Sequence, residues 1–301
     1  MACGLHLVVN EPRDQAQIIG AVDLLARLEA LWSRFRPDSD ITRINDRPGL
    51  PVAVAPETIE LVETMKQGWA LTQGRYDPTI LPILVASGYA ASRVDPTAIT
   101  VLPAGPHRTG TVDEITLDLR RSTVTVPPGV ALDPGGIGKG LAADLAVAFL
   151  LDGGAAGALV SIGGDLAASG TAPGHDGWRV DIERPDPDRT PLCRTTTDHG
   201  GVATSSTRSR RWDHDGRGRH HAIDPATGAQ SDTDLAAVTV FSTSGWRAEA
   251  FATAALLAGS GSVIDYLDSH DLSGLAVTDA GAVLRTDDLD GLEVLTRAGT
   301  R

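Results

Sequence analysis

Cysteine is scarce in this sequence, and Cys3 and Cys193 are the two that occur in 301 residues. So few cysteines supply neither a disulfide framework nor the closely spaced pairs of a structural zinc site. Unpaired cysteines are typical of proteins in a reducing compartment. We therefore expect this protein in the cytoplasm.

Basic clusters and long apolar runs are also missing. The net charge is −13 at pH 7, and because nucleic-acid binding depends on clustered lysine and arginine, we exclude nucleic acid as a partner. No apolar run reaches the roughly 18 residues of a membrane-spanning helix. The first residues lack the basic and apolar regions of a signal peptide or lipoprotein leader, although a leader removed earlier would leave no trace.

The patterns that are present predict a mixture of helices and strands. Apolar residues indicate helices over 14–35, 56–72 and 246–258, and from the central glycines to residue 152. Alternation and short apolar runs predict strands at 5–9, 158–170, 178–183 and 235–242, and a hairpin at 114–127. Residues 85–112 resist assignment, and 201–230 are polar without periodicity, which indicates a functional loop. Without a repeat or a clear linker, we expect a single domain over residues 1–301.

The most informative stretch is LDPGGIGKGLAAD, residues 132–144, which runs from a predicted strand end through four glycines into a helix. Glycine permits backbone torsions and close approaches that a Cβ would prevent, and a helix begins with free N–H groups and a positive dipole end. This predicts an anion site suited to phosphate, although a plain strand-to-helix turn would use the same residues. Lys139 precedes Gly140 instead of Ser or Thr, so the stretch is not a P-loop, and its glycine spacing is wrong for the dinucleotide fingerprint.

Seven segments of the chain are informative when they are taken together in their order: SRFRPDSDITRIN, TQGRYDPT, LDPGGIGKGLAAD, LVSIGGDLAASG, VATSS, HHAIDPATG and WRAEAFATAALLAG. In this order they resemble the ApbE family of FAD:protein FMN transferases. Each segment is weak alone, but together they cover nearly the whole chain. The resemblance implies an α+β fold, with T-fold-related mixed sheets packed against helices.

The resemblance also implies a reaction at the diphosphate of FAD. FMN would pass through a phosphoester bond to a Thr or Ser hydroxyl of an acceptor flavoprotein, and AMP would leave. Two alternatives stay open, namely an FAD pyrophosphatase that uses water as the acceptor and a non-catalytic FAD-binding protein. The chain has no acceptor segment of the Asp-x-x-Thr-(Ser or Thr)-(Gly or Ala)-Ala-Thr kind, so self-flavinylation is not expected. Neither the acceptor nor the oligomeric state follows from the sequence.

By the same resemblance, Mg²⁺ would be held by Glu249 and Thr253, one helical turn apart, and by a backbone carbonyl near Gly136. Mg²⁺ accepts all-oxygen ligand sets and keeps waters and substrate phosphate. The family usually has Asp at the position of Glu249, and some relatives carry a further Asp where this chain has Ala252. We expect these differences to change the affinity or the choice of metal. A solvated helix position is the plain alternative for Glu249.

His221 matches the family histidine in the pattern His-x-x-Asp-Pro. Its usual pKa lies near neutrality, so it can accept the proton of the attacking hydroxyl. We expect adjacent His220 to be a surface residue and Asp224 to shape the loop. The resemblance places the following residues around FAD, with the aromatic ones available to stack on a flat ring: Phe35, Arg75, Tyr76, Asp77, Asp133, Lys139 and Ile223.

Expectations also follow for two further sets of residues. The block Thr204, Ser205 and Ser206 is expected to support the site from behind. Three arginines of the following segment either hold phosphate or an acidic partner or belong to a solvated loop: Arg208, Arg210 and Arg211. Asp77 precedes Pro78, which holds it extended, so it either presents its carboxylate from a fixed loop or caps a helix.

Overall fold

The computed structural model describes residues 4–174, 177–186, 190–214, 216–289 and Leu292. Cys3 lies outside the described residues, and Cys193 is a buried free thiol. Within these ranges, none of the helices combines the length and the apolar character that crossing a membrane requires.

The described part of the chain contains seven α-helices. They are α1 (Gln15–Trp32), α2 (Asp40–Asn45), α3 (Pro56–Leu71), α4 (Leu81–Ala86), α5 (Gly138–Asp152), α6 (Gly245–Leu256) and α7 (Val263–Asp268). The helices predicted over 14–35, 56–72 and 246–258 are therefore confirmed as α1, α3 and α6. Helix α1 begins where the Asp14 side chain accepts the Gln17 N–H, and it ends at Trp32 because Ser33 has extended torsions, φ −69° and ψ 118°.

The strands are short, and all of their pairings among the described residues are antiparallel. They are β1 (Leu5–Asn10), β2 (Val52–Ala53), β3 (Thr116–Asp118), β4 (Thr123–Thr125), β5 (Gly157–Ile162), β6 (Asp165–Gly170), β7 (Trp178–Glu183), β8 (Pro191–Thr197), β9 (Gly200–Ser206), β10 (Arg211–His214), β11 (Arg217–His220), β12 (Ile223–Asp224), β13 (Ala229–Gln230), β14 (Leu235–Ser242), β15 (Ser273–Thr278) and β16 (Val283–Arg285). The predicted hairpin at 114–127 is confirmed as β3 and β4, whose register pairs Leu117 with Val124.

A seven-stranded antiparallel sheet forms the centre of the fold, in the spatial order β1-β5-β6-β9-β14-β15-β16. Successive residues of a strand point to opposite faces, so neighbours in β6 join different apolar clusters. Leu166 packs with Val180 and Leu192 of the β7–β8 pair. Ala167 belongs to the cluster that includes Ala143 of α5. The sheet is thus covered by helices on one face and by the β7–β8 hairpin on the other.

The prediction of a functional loop over 201–230 is wrong, because the structure has strands β9 to β13 there. Strand β9 pairs with β6 on one side and β14 on the other, and it is buried along most of its length. A strand covered on both faces needs no alternation of polar and apolar residues, so its sequence carries no period-two signal. A Cβ on Gly201 would lie 2.4 Å from Gly245 Cα, so the small residues of β9 allow α6 to pack close to the sheet.

Helix α4 and strand β8 were also not predicted. Helix α4 ends at Ala86, just inside the segment that resisted assignment, and its short LPILVA sequence is too brief for a helical period. Strand β8 is rich in threonine and pairs with the predicted strand β7, with Trp178 opposite Thr197.

Candidate active site

The glycine-rich stretch is a turn held by neighbouring side chains. No strand ends at Leu132, contrary to the sequence prediction, because the Asn45 side chain takes the place of a strand partner: it accepts the Leu132 N–H at 2.7 Å and donates to the Leu132 carbonyl at 2.9 Å. Asp133 then accepts the Gly135 N–H at 3.1 Å. Gly136 has φ +85°, a left-handed conformation that favours glycine.

Helix α5 begins at Gly138 without a side-chain cap of its own, since Ile137 occupies the N-cap position. The first N–H groups of a helix have no carbonyl partner within that helix, and here the Gly138 N–H donates to the Pro134 carbonyl at 2.9 Å. Glu249 of α6 supplies the anion in this structure, because its Oε2 accepts the Gly140 N–H at 2.8 Å. The helix terminus therefore binds a carboxylate of the same chain.

Lys139 belongs to a buried group of three charges. The Lys139 Nζ contacts Oδ2 of Asp165 and lies 3.0 Å from Oε1 of Glu249. Both carboxylate side chains are 4% exposed, and that of Lys139 is 17% exposed. The remaining Asp165 oxygen accepts the Thr204 N–H at 3.0 Å. One ammonium thus bridges two carboxylates, which leaves a net charge of −1 on the three groups.

Thr253 lies beside this group and brings oxygen atoms together. Its hydroxyl lies 3.1 Å from Ser205 Oγ and donates to the Glu249 carbonyl at 3.2 Å. A Cβ on Gly136 would lie 3.3 Å from Thr253 Oγ1, so the Gly136 backbone is adjacent to that hydroxyl. Among the described residues there is no group of three or more His, Cys, Asp or Glu side chains that could hold a metal. A hard cation at this point would therefore be held by the Glu249 carboxylate together with neutral oxygens, a set that suits Mg²⁺.

His221 lies beside positively charged groups, which favours the neutral imidazole. Burial, and then the positive charges of Arg210, His220 and Lys139, lower its pKa to about 3. Its Nδ1 is buried and has no hydrogen-bond partner among the described residues. A neutral ring with a free nitrogen is able to accept a proton or a hydrogen bond.

These groups share one cavity of about 1500 Å³. The cavity is larger than the roughly 300–1,000 Å³ of an ordinary small-molecule pocket, so a dinucleotide fits with room to spare. All of the predicted site residues except Phe35 line it: Arg75, Tyr76, Asp77, Asp133, Gly136, Lys139, His221, Ile223, Glu249 and Thr253.

Comparison with known proteins identifies the family of this chain. The sequence model of the ApbE family matches residues 1–277. The chain belongs to the ApbE family. The FAD:protein FMN transferase of Klebsiella pneumoniae (strain 342) is 29% identical over 235 residues, which are 76% of this chain and 72% of that protein. The FAD:protein FMN transferase of Escherichia coli (strain K12) is 25% identical over 264 residues, 86% of this chain and 75% of that protein.

Solved ApbE structures share the fold. The crystal structure of the ApbE protein from Thermotoga maritima superposes with a TM-score of 0.82 at 25% identity, over 95% of this chain and 94% of that one. The apo form of the Pseudomonas stutzeri flavinyl transferase ApbE gives a TM-score of 0.77 at 25% identity, over 96% of each chain. The α+β fold of mixed sheets and helices implied by the sequence resemblance is thereby confirmed.

Tyr76 and Asp77 of the ApbE motif TQGRYDPT are buried residues that form part of the cavity wall. Tyr76 is 2% exposed, and its ring lies so close to Gly136 that a Cβ there would be 3.1 Å from Cε2. Its face is therefore enclosed by protein in this structure. Asp77 accepts the backbone and hydroxyl protons of Thr79 with Oδ1 and the Gly110 N–H with Oδ2. Both of its oxygens thus hold the loop together.

An aromatic group at the edge of this ApbE cavity was not predicted. The Tyr89 ring, which lines the cavity, stacks on Trp212 at 5.0 Å with an interplanar angle of 18°. Phe35 contacts Tyr89 edge to face at 6.5 Å, behind the cavity lining. The buried Arg34 guanidinium lies over both rings and 3.7 Å from Asp133. Phe35 therefore reaches the site through Tyr89 and Arg34.

The sequence analysis also missed two acidic residues, Asp165 and Asp144. Asp165 follows Gly163 and Gly164, whose φ values of +63° and +97° form the tight turn between β5 and β6. That Gly-Gly-Asp turn was a usable signal, because it fixes the carboxylate at a strand start. Asp144 accepts the Gly245 and Trp246 N–H groups at 2.7 and 2.9 Å.

The prediction that Asp224 shapes its loop is confirmed, since it accepts the Ala226 N–H at 2.9 Å. His220 is buried, so the expectation of a surface residue was wrong.

Proposed function

We propose that this ApbE-family chain is an FAD:protein FMN transferase. The observation that supports this most directly is the convergence of Lys139, His221 and the Glu249–Thr253 pair on one cavity. These residues supply a positive charge, a proton acceptor and a cation site. Phosphoryl transfer requires those elements and little covalent chemistry from the protein.

The FAD diphosphate binds beside Lys139 and the start of α5. The ammonium is the one lysine charge on the cavity wall, and Arg210 adds a second positive charge near His221. Charge-assisted contacts to phosphate oxygens are shorter and stronger than neutral ones. The volume of the cavity leaves space for the isoalloxazine ring and for a side chain of the acceptor.

A divalent cation, Mg²⁺, is proposed at Glu249 and Thr253 with a backbone oxygen near Gly136. When bound, it neutralises charge on the diphosphate oxygens. The chain's own residues fit such a group because they bring an acidic oxygen, a hydroxyl and a glycine backbone together beside a group of three charges whose net charge is −1. Glu249 is one methylene longer than Asp, and that length allows its Oε2 to reach the Gly140 N–H.

His221 acts as the general base. The Thr or Ser oxygen of the acceptor attacks the phosphorus of the FMN half, the bond from that phosphorus to the AMP oxygen breaks, and the hydroxyl proton passes to His221. AMP leaves with the bridging oxygen, so atoms and charges balance. The unpartnered Nδ1 identifies a free acceptor atom on this ring.

The acceptor is proposed to be a separate flavoprotein with a Thr or Ser flavinylation motif. The chain is proposed to act as a single domain. A cytoplasmic location stays a prediction from the sequence.

The decisive experiment incubates the purified protein with FAD and Mg²⁺, with and without a candidate acceptor protein. We expect release of AMP that depends on the acceptor, and flavin that stays attached after the acceptor is denatured. FMN and AMP formed equally fast without acceptor would indicate the pyrophosphatase. Tight FAD binding without AMP release under either condition would indicate a binding protein.

A further inference from the structure

The ammonium of Lys139 already occupies one side of the carboxylate that the proposed cation requires. Glu249 uses Oε2 for the Gly140 N–H and Oε1 for Lys139 at 3.0 Å. The first contact is to backbone at a helix terminus and belongs to the fold. The second is to a side chain with several rotatable bonds and is able to move.

Lys139 has a second anchor that does not depend on Glu249. Its Nζ contacts Asp165, which is itself fixed by the Thr204 N–H at 3.0 Å. If the contact with Glu249 is lost, the ammonium stays on the cavity wall through Asp165.

We infer that Lys139 is exchanged between Glu249 and the diphosphate. In the empty protein the ammonium neutralises Glu249. A divalent cation that binds to Glu249 displaces it, and Asp165, a positioning residue, then holds it toward the diphosphate. The inference rests on the proposed function, because it takes Glu249 as the cation ligand.

Two consequences follow. First, the lysine competes with the cation, so it weakens cation binding in the absence of nucleotide. Second, cation binding releases the ammonium for phosphate, so the cation and the nucleotide bind more tightly together than separately. A purely structural salt bridge would stabilise the fold and would not respond to the cation.

The first test needs no variant at the site, because Lys66 and Lys139 are the two lysines of this chain. Protein labelled with ¹³C at the lysine Cε gives two NMR signals, which Lys66→Met assigns. Lys66 Nζ donates to the Ile115 carbonyl and is not part of the cavity lining, so its signal is an internal control. We expect saturating Mg²⁺ alone to shift the Lys139 signal and leave the Lys66 signal in place, and ADP to shift the Lys139 signal again. An unmoved Lys139 signal at saturating Mg²⁺ overturns the exchange.

The second test measures Mn²⁺ binding by calorimetry without nucleotide. We expect Lys139→Met to bind Mn²⁺ roughly tenfold more tightly than the unmodified protein, about the strength of one charge-assisted contact. Arg93→Met is the matched control, since it removes a positive charge from the same cavity wall, where Arg93 donates to the Ser209 carbonyl. It should change the affinity by less than about twofold, because this exposed charge is screened by solvent.

The controls also separate this inference from the proposed function. Glu249→Gln keeps an oxygen for the Gly140 N–H but removes the charge, so it should abolish Mn²⁺ binding. Binding that persists in Glu249→Gln contradicts the cation site, and the exchange with it. Binding lost in Glu249→Gln but not tightened in Lys139→Met, or tightened equally in Arg93→Met, contradicts the exchange alone. With Mn²⁺ present, ADP should bind Lys139→Met at least about tenfold more weakly than it binds the unmodified protein.

Discussion

Asp144 and Glu249 cap each other's helices. Asp144 of α5 accepts the first two N–H groups of α6, at 2.7 and 2.9 Å, and Glu249 of α6 accepts the Gly140 N–H of α5 at 2.8 Å. Neither helix has a side-chain cap from its own N-cap residue. The two helices therefore depend on each other for their first turns, and the crossing places Glu249 and Lys139 at the cavity.

The close crossing of α5 and α6 requires glycine at position 140. A Cβ there would lie 2.3 Å from the backbone carbon and oxygen of Gly245, and backbone atoms cannot rotate away. We expect Gly140→Ala to lower the free energy of unfolding by about 3 kcal/mol or more, since overpacking of a rigid contact costs this much. Urea unfolding followed by circular dichroism measures the effect.

Gly138→Ala is the matched control in the same helical turn. Its Cβ would meet Pro134 Cβ at 3.4 Å, an ordinary contact, and alanine is the better helix former. We expect its stability to stay within about 1 kcal/mol of the unmodified protein. Equal losses in both variants would show that the helix start, and not the crossing, is sensitive to substitution.

The sequence predicted the parts of the site that depend on local spacing. Glu249 and Thr253 are four residues apart on one helix, so their proximity follows from helical geometry. The glycines and Lys139 were placed at a helix start for the same reason. Asp144 and Asp165 were not predicted, because their partners are 101 or 102 and 26 or 39 residues away in the sequence and meet them only after the helices and strands have packed.

The strands over 201–230 were missed for a different physical reason. Periodicity reports a contrast between a buried and an exposed face, and β9 has helices on one side and the β7–β8 hairpin on the other. The short hairpins β10–β11 and β12–β13 are stabilised by turns and by contacts with the rest of the fold, for example the Trp212 indole N–H donating to the Ser87 carbonyl at 2.8 Å. Such long-range contacts produce no periodic pattern in the local sequence.

Asp144 should make the stability depend on pH. Burial raises its pKa to about 6, from an ordinary value of 3.8. Between these two values the folded protein binds more protons than the unfolded chain, so the contribution of Asp144 to stability falls as pH rises through about 4 to 6. We therefore expect Asp144→Asn to cost more stability at pH 5 than at pH 7.5.

Urea unfolding of both proteins at the two pH values measures this difference. Asp23→Asn, at an exposed position of α1, provides the background effect of the same substitution. A loss that is equal at both pH values, or larger at pH 7.5, would contradict the raised pKa of Asp144.

The Tyr76 hydroxyl is buried and has no partner among the described residues. Burial, and then the charges of Glu249, Asp133 and Asp77, raise its pKa well above the ordinary value, so it stays protonated. Removing an unsatisfied buried hydroxyl costs no hydrogen bond. We expect Tyr76→Phe to leave the free energy of unfolding of the ligand-free protein unchanged or to raise it by about 1 kcal/mol.

Thr79→Val is the contrasting variant. The Thr79 hydroxyl is also buried, but it donates to Asp77 Oδ1 at 2.6 Å. Its removal leaves part of a carboxylate unsatisfied, and we expect a loss of about 1–3 kcal/mol by thermal or urea unfolding. If Tyr76→Phe destabilised the protein as much as Thr79→Val, the hydroxyl of Tyr76 would have to be satisfied by water.

His221 gives the sharpest prediction for catalysis. His221→Gln should keep FAD affinity within about threefold and lower the rate of flavin transfer by about 10²–10⁴-fold, the usual contribution of a general base. His220→Gln is the neighbouring control, since His220 is not part of the cavity lining. Its transfer rate should stay near that of the unmodified protein, as measured by fluorescence of flavin bound to the acceptor.

The pH profile tests the same residue without a substitution. Because the pKa of His221 is about 3 in the free protein, kcat/KM should not fall through pH 6.5 on account of this group. Bound diphosphate offsets the charges of Lys139 and Arg210, so the acid limb of kcat should lie at higher pH than that of kcat/KM. Between about pH 3 and pH 6.5 the unfolded chain binds more protons at His221 than the folded protein does. The contribution of His221 to stability therefore falls as the pH falls, whereas that of Asp144 falls as the pH rises. An acid limb of kcat/KM near 6.5 that His221→Gln abolishes would contradict the lowered pKa.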